Sequence, residues 1–121
     1  MVKALFDTNI LVDLLNNVPA ARDELKLYED RAVSIVTWIE VMVGAAPTTE
    51  RGTRDFLEEF EVVAIDSAIA DATVELRRTH RMKLPDAIIW ASARQTGRLL
   101  VTRNTKDFPA NDPGVRAPYK L

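Results

Sequence analysis

The sequence predicts an α/β fold in which a mainly parallel sheet of four or five strands is covered by helices on both faces. Two observations support this prediction. Short apolar segments alternate with segments of helical periodicity along the whole chain. The apolar segments are continuous rather than alternating, which is typical of strands buried on both faces. Because 121 residues suit one domain, we assign residues 1–121 to a single three-layer α/β/α domain.

The predicted strands are short apolar or β-branched segments bounded by turn-forming residues. In chain order they cover residues 2–6, 32–36, 61–65, 99–102 and 114–117. The last segment follows Asn111-Asp112-Pro113-Gly114, a typical turn sequence. Because this segment is short, the predicted sheet has four or five strands.

Three helices are predicted between the first strand and residue 45. The first covers residues 10–16. The second begins at Pro19, because proline is favoured in the first turn of a helix. The third begins at Thr37-x-x-Glu40, a capping box in which the two side chains bond to each other's backbone, and it runs to Val43.

Glycine and proline interrupt the pattern at residues 45–53, which are expected to form a mobile loop. Helical spacing resumes at residues 56–60. A long helix follows the third strand, with Asp66 or Ser67 as its cap. Pro85 suits the first turn of the last helix, which leads into the fourth strand.

The composition excludes several kinds of site. Without cysteine the chain forms no disulfide and no thiolate zinc site. His80 is the one histidine, so the paired imidazoles of metal-free ribonucleases cannot form within one chain. A net charge of −2 argues against a broad basic surface that coats nucleic acid. With no apolar run near the roughly 20 residues of a membrane span and no signal peptide, we expect a cytoplasmic protein.

Four polar positions follow a predicted strand or begin a predicted helix: Asp7, Glu40, Asp86 and the segment 104–107. The carboxyl ends of parallel strands meet at one edge of a sheet, where ligands bind, so these residues are expected to lie close together. Each also has a purely structural explanation. Asp7 and Glu40 can cap helices, Asp86 can oppose a helix dipole, and Asp107 can be a solvated turn residue.

The cost of gathering carboxylates favours the functional explanation. Two carboxylates about 4 Å apart repel by about 4 kcal/mol at an effective dielectric near 20. Oxygen ligands without cysteine select a hard cation, so Mg²⁺ or Mn²⁺ is the expected compensating ion, and the sequence leaves one or two ions open. Such an ion activates water for attack on a phosphodiester, which predicts products with a 5′-phosphate and a 3′-hydroxyl.

The motifs at these positions resemble, in sequence order, those of the PIN-domain family, specifically the VapC-type toxins of prokaryotic toxin–antitoxin pairs. The resemblance covers nearly the whole chain. The motifs are Phe6-Asp7-Thr8-Asn9-Ile10, Glu40, Leu84-Pro85-Asp86-Ala87, Val101-Thr102-Arg103-Asn104 and Lys106-Asp107-Phe108.

The resemblance implies a Mg²⁺-dependent endoribonuclease whose acidic pocket consists of Asp7, Glu40 and Asp86. It also implies a homodimer that is silenced by a cognate antitoxin covering the pocket. RNA is then the substrate, no membrane is involved, and DNA is contacted only through the complex with the antitoxin.

The fourth acidic position departs from the family pattern. Many relatives carry an acid directly after Thr-Arg, whereas this chain has Asn104 there. Asn104 fits by position and can ligate through its carbonyl, while Asp107 fits by charge, and the sequence leaves both open. The departure also supports an alternative, a non-catalytic PIN-like domain that binds RNA or protein.

The acid after the first strand and the basic run before Asp86 each have an alternative explanation. A haloacid-dehalogenase-like phosphotransferase also has an acid after its first strand, but it requires aspartate two residues later, where this chain has Asn9. A basic run before Asp86 is expected to be a solvated helix face, with guidance of the RNA backbone as the alternative. This run contains Arg77, Arg78, Arg81 and Lys83.

Overall fold

Five short parallel strands form one sheet in the computed structural model, which describes residues 2–121. The strands are β1 (Ala4–Phe6), β2 (Arg31–Ser34), β3 (Glu61–Val63), β4 (Leu99–Val101) and β5 (Val115–Arg116). Their order across the sheet is β3-β2-β1-β4-β5, and every neighbouring pair is parallel. The predicted parallel sheet is confirmed, and all strands end at the same edge.

Helices connect the strands from β1 to β4 and cover both faces of the sheet. They are α1 (Thr8–Leu15), α2 (Pro19–Leu25), α3 (Ile35–Val43), α4 (Glu50–Leu57), α5 (Ser67–His80) and α6 (Leu84–Gln95). No helix within residues 2–121 has the length and apolar character needed to cross a membrane.

Each face of the sheet has its own apolar core, which explains why the strand segments are continuously apolar. Leu5 and Leu100 belong to a buried cluster with residues of α5 and α6. Phe6, Val33 and Val101 belong to a second cluster with residues of α1 to α4. Because neighbouring strand residues point to opposite faces, both must be apolar. The predicted three-layer α/β/α arrangement is confirmed.

The predicted start of the third helix was wrong. The strand β2 ends at Ser34, whose hydroxyl accepts a hydrogen bond from the Val36 backbone N–H at 3.1 Å and caps α3. Ile35 and Val36 are therefore helical despite their β-branched side chains. Thr37 lies inside the helix and is buried, so Thr37 and Glu40 form no capping box.

Two other boundaries also differ from the prediction. The expected loop over residues 45–53 ends early, because α4 begins at Glu50 and includes Gly52. The strand β3 stops at Val63 rather than at residue 65. By contrast, Asp66 caps α5 as expected, with its Oδ1 accepting the Ile69 N–H at 2.8 Å.

Two buried carboxylates connect the first helices to the other end of the chain. Asp13 on α1 accepts hydrogen bonds from Arg103 Nε at 2.6 Å and Nη2 at 3.0 Å. Glu24 on α2 is bound in the same two-pronged manner by Arg116 of β5, at 2.6 and 2.9 Å. Burial acts to raise the pKa of each acid, but hydrogen bonds from the arginine and from a tyrosine, together with the charge of the arginine, outweigh it, so both pKa values are lowered.

Glu24→Gln is expected to lower the free energy of unfolding by about 2 kcal/mol at neutral pH, because it removes the charge from the buried carboxylate that binds the exposed Arg116. The pH dependence follows from the lowered pKa of Glu24. Stability from the ionised pair is present above the pKa of unfolded glutamate and is lost as pH falls through the folded pKa. Urea unfolding at pH 7 and at about pH 3 should show a difference that shrinks in acid.

Glu75→Gln, at an exposed glutamate on α5, is the matched control and should leave stability unchanged. Equal stability of Glu24→Gln and wild type at pH 7 would contradict the importance of this pair.

Candidate active site

Asp7 lies at the carboxyl edge of the sheet, directly after β1, where it caps α1. Its side chain is only 4% exposed. Oδ1 accepts the Thr8 backbone N–H at 2.8 Å, and Oδ2 accepts the Thr102 hydroxyl at 2.7 Å and the Asn9 amide at 3.2 Å. All three donors are neutral. The carboxylate is therefore fixed in position without a positively charged partner.

Within residues 2–121, Asp7 takes part in no ion pair. Burial raises the pKa of Asp7 to about 6, the hydrogen bonds from Thr102 and Thr8 oppose this rise, and the charges of Asp86 and Glu40 add to it. Asp86 and Glu40 thus lie near enough to act on Asp7 through their charges. The structure brings the three acids predicted from sequence to one edge of the sheet.

Glu40 is exposed on α3, and a threonine on α1 holds its carboxylate. Thr8 Oγ1 donates to Glu40 Oε1 at 2.8 Å and lies 3.0 Å from Thr37 Oγ1. A hydroxyl has a single proton to donate, so Thr37 must donate to Thr8 while Thr8 donates to Glu40. This chain of hydroxyls fixes one oxygen of the Glu40 carboxylate.

Asp86 is half-buried in the first turn of α6. Burial raises its pKa, the charge of Asp107 raises it further, Lys83 lowers it, and Glu40 raises it. Asp86 is thus surrounded mainly by negative charge, with one lysine nearby.

Asn104 and Asp107 occupy one turn after β4. Asn104 Nδ2 donates to Asp107 Oδ2 at 2.9 Å, and Asn104 Oδ1 accepts the Asp107 backbone N–H at 3.1 Å. Both polar atoms of the Asn104 side chain are therefore used inside the turn. Of the two residues in this turn, Asp107 is the one whose negative charge raises the pKa of Asp86.

The acids share an edge but do not form a closed cage. Across the part of the chain that the structure describes, no three His, Cys, Asp or Glu side chains are grouped closely enough to hold a metal ion. The chemistry of the donor set nevertheless fits a hard divalent cation, because the oxygens are carboxylate and the buried Asp7 has only neutral donors. A cation here would offset the charge that burial disfavours.

The sequence did not predict the contacts of several polar side chains that lie beside the acids. Thr8 and Asn9 follow Asp7 directly in the first motif, so their position could have identified them. Thr37 was assigned to a capping box, because nothing in the sequence reveals its contact with Thr8. Thr102, which belongs to the motif Val101-Thr102-Arg103-Asn104, donates directly to Asp7.

A groove of about 640 Å³ lies between α1, α3 and α4, with Glu40 at its margin. Its walls include the exposed apolar side chains Val12 and Leu15. Neither Asp7 nor Asp86 lines it. The groove therefore adjoins the acidic edge on the Glu40 side and does not contain the acidic edge itself.

Residues 4–112 match the family described as PIN domain. The chain belongs to the PIN domain family. The tRNA(fMet)-specific endonuclease VapC of Shigella flexneri is 33% identical to this PIN domain over 120 residues, covering 89% of this chain and 91% of that protein. The expected resemblance to VapC-type PIN domains is confirmed.

Solved structures agree with this assignment. A chain of a toxin–antitoxin complex from Klebsiella pneumoniae is 46% identical, with a TM-score of 0.93, covering 98% of this PIN domain and 100% of that chain. A chain of DNA-bound VapBC from Salmonella typhimurium is 25% identical, with a TM-score of 0.79 and 96% of both chains covered. The similarity thus extends over nearly the full length of the PIN domain.

Asp7→Asn is expected to stabilise the metal-free PIN domain at pH 8 by about 1–2 kcal/mol. The folded pKa of Asp7, about 6, lies above its unfolded value. Ionisation of Asp7 is therefore unfavourable in the folded state, and the wild-type protein loses stability as pH rises through about 6. Asparagine does not ionise, but it gives up the acceptor for Thr102, which limits the gain.

The measurement is urea unfolding in the presence of chelator at pH 8 and at about pH 4, where the advantage should disappear. A less stable Asp7→Asn variant at pH 8 would show that helix capping outweighs the cost of the buried charge.

Proposed function

We propose that this chain is a VapC-type endoribonuclease that hydrolyses RNA phosphodiesters with Mg²⁺ or Mn²⁺ at Asp7, Glu40 and Asp86. The observation that carries the proposal is the buried Asp7 carboxylate, which has only neutral hydrogen-bond donors. The negative charges of Asp86 and Glu40 also raise its pKa. Burial of this unpaired charge costs stability unless a cation occupies the site. The similarity to a VapC endonuclease supports the same conclusion.

Asp7 and Asp86 would hold the ion, with Glu40 beside it. When bound, a divalent ion polarises the phosphoryl oxygen and lowers the pKa of water. Glu40 Oε1 accepts the Thr8 hydroxyl, so Oε2 is the oxygen that can orient a water and accept its proton. The water oxygen bonds to phosphorus while the bond to the 3′-oxygen breaks, and the departing 3′-oxygen takes a proton from solvent. The products carry a 5′-phosphate and a 3′-hydroxyl.

The turn after β4 supports the site from the other side. The carboxylate of Asp107 adds negative charge near Asp86, and Asn104 holds that carboxylate through its amide. In this arrangement Asp107 supplies the charge that many relatives supply from the position of Asn104.

We also propose that an antitoxin binds this chain. The related structure from Klebsiella pneumoniae is of a toxin–antitoxin complex, and that from Salmonella typhimurium is of VapBC bound to DNA. By this analogy DNA is contacted through the complex. A homodimer is the expected assembly of the toxin.

The alternative function is a PIN domain that binds RNA or a protein without cutting. It is favoured by the side chain of Asn104, which is bonded inside its own turn, and by the absence of a closed three-acid cage within residues 2–121. If the alternative domain binds RNA, only the fate of the RNA separates it from the nuclease.

The purified protein is expected to cut RNA with Mg²⁺ or Mn²⁺ and to lose activity with chelator. Asp7→Asn and Asp86→Asn should each reduce the rate by more than about 100-fold, because each removes a charged ligand of the ion. Asp71→Asn, at an exposed aspartate on α5, is the matched control and should retain activity.

Sequencing of the RNA ends identifies the chemistry. Ends with a 5′-phosphate are expected, whereas 2′,3′-cyclic phosphates would contradict attack by water. RNA that is shifted on a gel but remains intact would favour the non-catalytic alternative.

Mg²⁺ is expected to raise the unfolding temperature of the wild-type protein, because an ion that binds only the folded state stabilises it. At a free concentration 100 times its Kd, the gain is about 2.7 kcal/mol. Thermal unfolding with increasing Mg²⁺ measures this effect, and Asp7→Asn should abolish it. No response of the wild type up to millimolar Mg²⁺ would contradict the metal site.

A further inference from the structure

The turn between α5 and α6 lies at the same edge of the molecule as the acids. The two helices are antiparallel, because Ala68 and Asp71 near the start of α5 line one cavity with Arg94 and Gln95 at the end of α6. The opposite ends of the helices, where α5 finishes and α6 begins, therefore lie beside Asp86 in the first turn of α6.

Four exposed cations are concentrated at this end, and we call them the basic turn. They are Arg77, Arg78, Arg81 and Lys83. Between residues 2 and 121 their side chains form no ion pair. Each guanidinium of Arg98, Arg103 and Arg116, by contrast, binds a carboxylate at 2.6 Å. The fold thus leaves the charges of the basic turn available to a ligand.

Arg81 has a backbone conformation that arginine does not favour. It ends α5 with φ 54° and ψ 36°, in the left-handed region where the Cβ atom is strained and where glycine or asparagine usually ends a helix. A cation is present here at a cost to stability. Residues held in such conformations are concentrated at functional sites.

Neighbouring side chains hold the turn in place. Met82 is buried, and the ring of His80 lies 5.0 Å from that of Trp90 in the core. On either side of Met82, Arg81 and Lys83 remain exposed. Lys83 precedes α6 and is three residues before Asp86, so a positive charge lies next to the acidic edge.

We propose that the basic turn binds phosphates of the RNA strand that flank the phosphodiester cut at the acids. This inference rests on the proposed ribonuclease function and specifies where the RNA strand lies on the surface of the protein. An RNA strand is repelled by the carboxylates of the edge, so cations beside them must hold it there. The chain has a net charge of −2, so attraction of RNA by the protein itself must come from local clusters of cations such as the basic turn.

Binding of RNA is tested separately from cleavage. The probe is a short, fluorescein-labelled single-stranded RNA of mixed sequence, and its affinity is measured by fluorescence anisotropy at several KCl concentrations. All proteins carry Asp7→Asn and are measured with chelator, so the RNA stays intact. Arg81→Gly and Lys83→Gln are each expected to weaken binding by roughly fivefold.

The salt dependence provides a second readout. Each phosphate contact on single-stranded nucleic acid contributes about 0.7 to the slope of log affinity against log salt. A variant that combines Arg81→Gly and Lys83→Gln should therefore lose about 1.4 from this slope. Arg81→Gly places the favoured residue at the left-handed position. Its unfolding temperature should therefore be equal to or higher than that of the parent, which excludes misfolding as the cause of weaker binding.

Two control variants separate backbone and charge effects. Asn17→Gly changes the other non-glycine residue of positive φ in the described chain, at 59°, without removing a charge. Lys26→Gln removes an exposed cation outside the basic turn. Both controls should bind RNA with the affinity and salt slope of the parent protein.

Unchanged affinity and slope in Arg81→Gly and Lys83→Gln would overturn the proposal. Binding of poly-glutamate, instead of RNA, that depends on Arg81 would assign the turn to an acidic protein and would also overturn it. If wild-type protein cuts RNA but the variants bind normally, only the basic turn fails. If RNA binds through the turn but metal produces no cleavage, the ribonuclease function fails instead.

Discussion

The hydrogen bond from the Thr102 hydroxyl to the Asp7 carboxylate, at 2.7 Å, is the interaction on which the acidic edge depends. It joins the residues that follow β1 and β4, which are neighbours at the centre of the sheet. The same hydroxyl oxygen accepts the Asn104 backbone N–H at 2.9 Å, so it also begins the turn that carries Asp107. One threonine thus fixes the buried acid of the site and the start of the last acidic segment.

The buried carboxylates of the protein differ in whether a positively charged side chain binds them. Asp13 and Glu24 are each bound by an arginine, and their pKa values are lowered. Asp7 is equally buried but has only neutral donors, and its pKa is raised to about 6. Internal pairing therefore neutralises the two acids that connect helices to the rest of the fold. The acid at the sheet edge retains an uncompensated charge, which only a cation from solution can offset.

The sequence predicted the sheet, the three-layer arrangement and the edge at which the acids meet, because these follow from apolar patterning and from the geometry of parallel strands. It failed where two local signals competed, since Ile35 and Val36 have strand propensity but follow the helix cap Ser34. The contact between Thr8 and Glu40 joins residues 32 positions apart. No local pattern encodes such a contact, so only the tertiary structure reveals it.

The position of Arg103 explains why a separate basic segment is needed beside the acids. Arg103 directly follows Thr102, whose hydroxyl bonds to Asp7. Its guanidinium, however, is bound by Asp13 at 2.6 and 3.0 Å, and Asp13 also accepts the Tyr119 hydroxyl at 2.7 Å. To bind Arg103, a phosphate would have to compete with a two-pronged ion pair whose carboxylate, that of Asp13, is buried. Arg103 therefore positions the turn after β4, and attraction of a polyanion falls to exposed cations that the fold does not use.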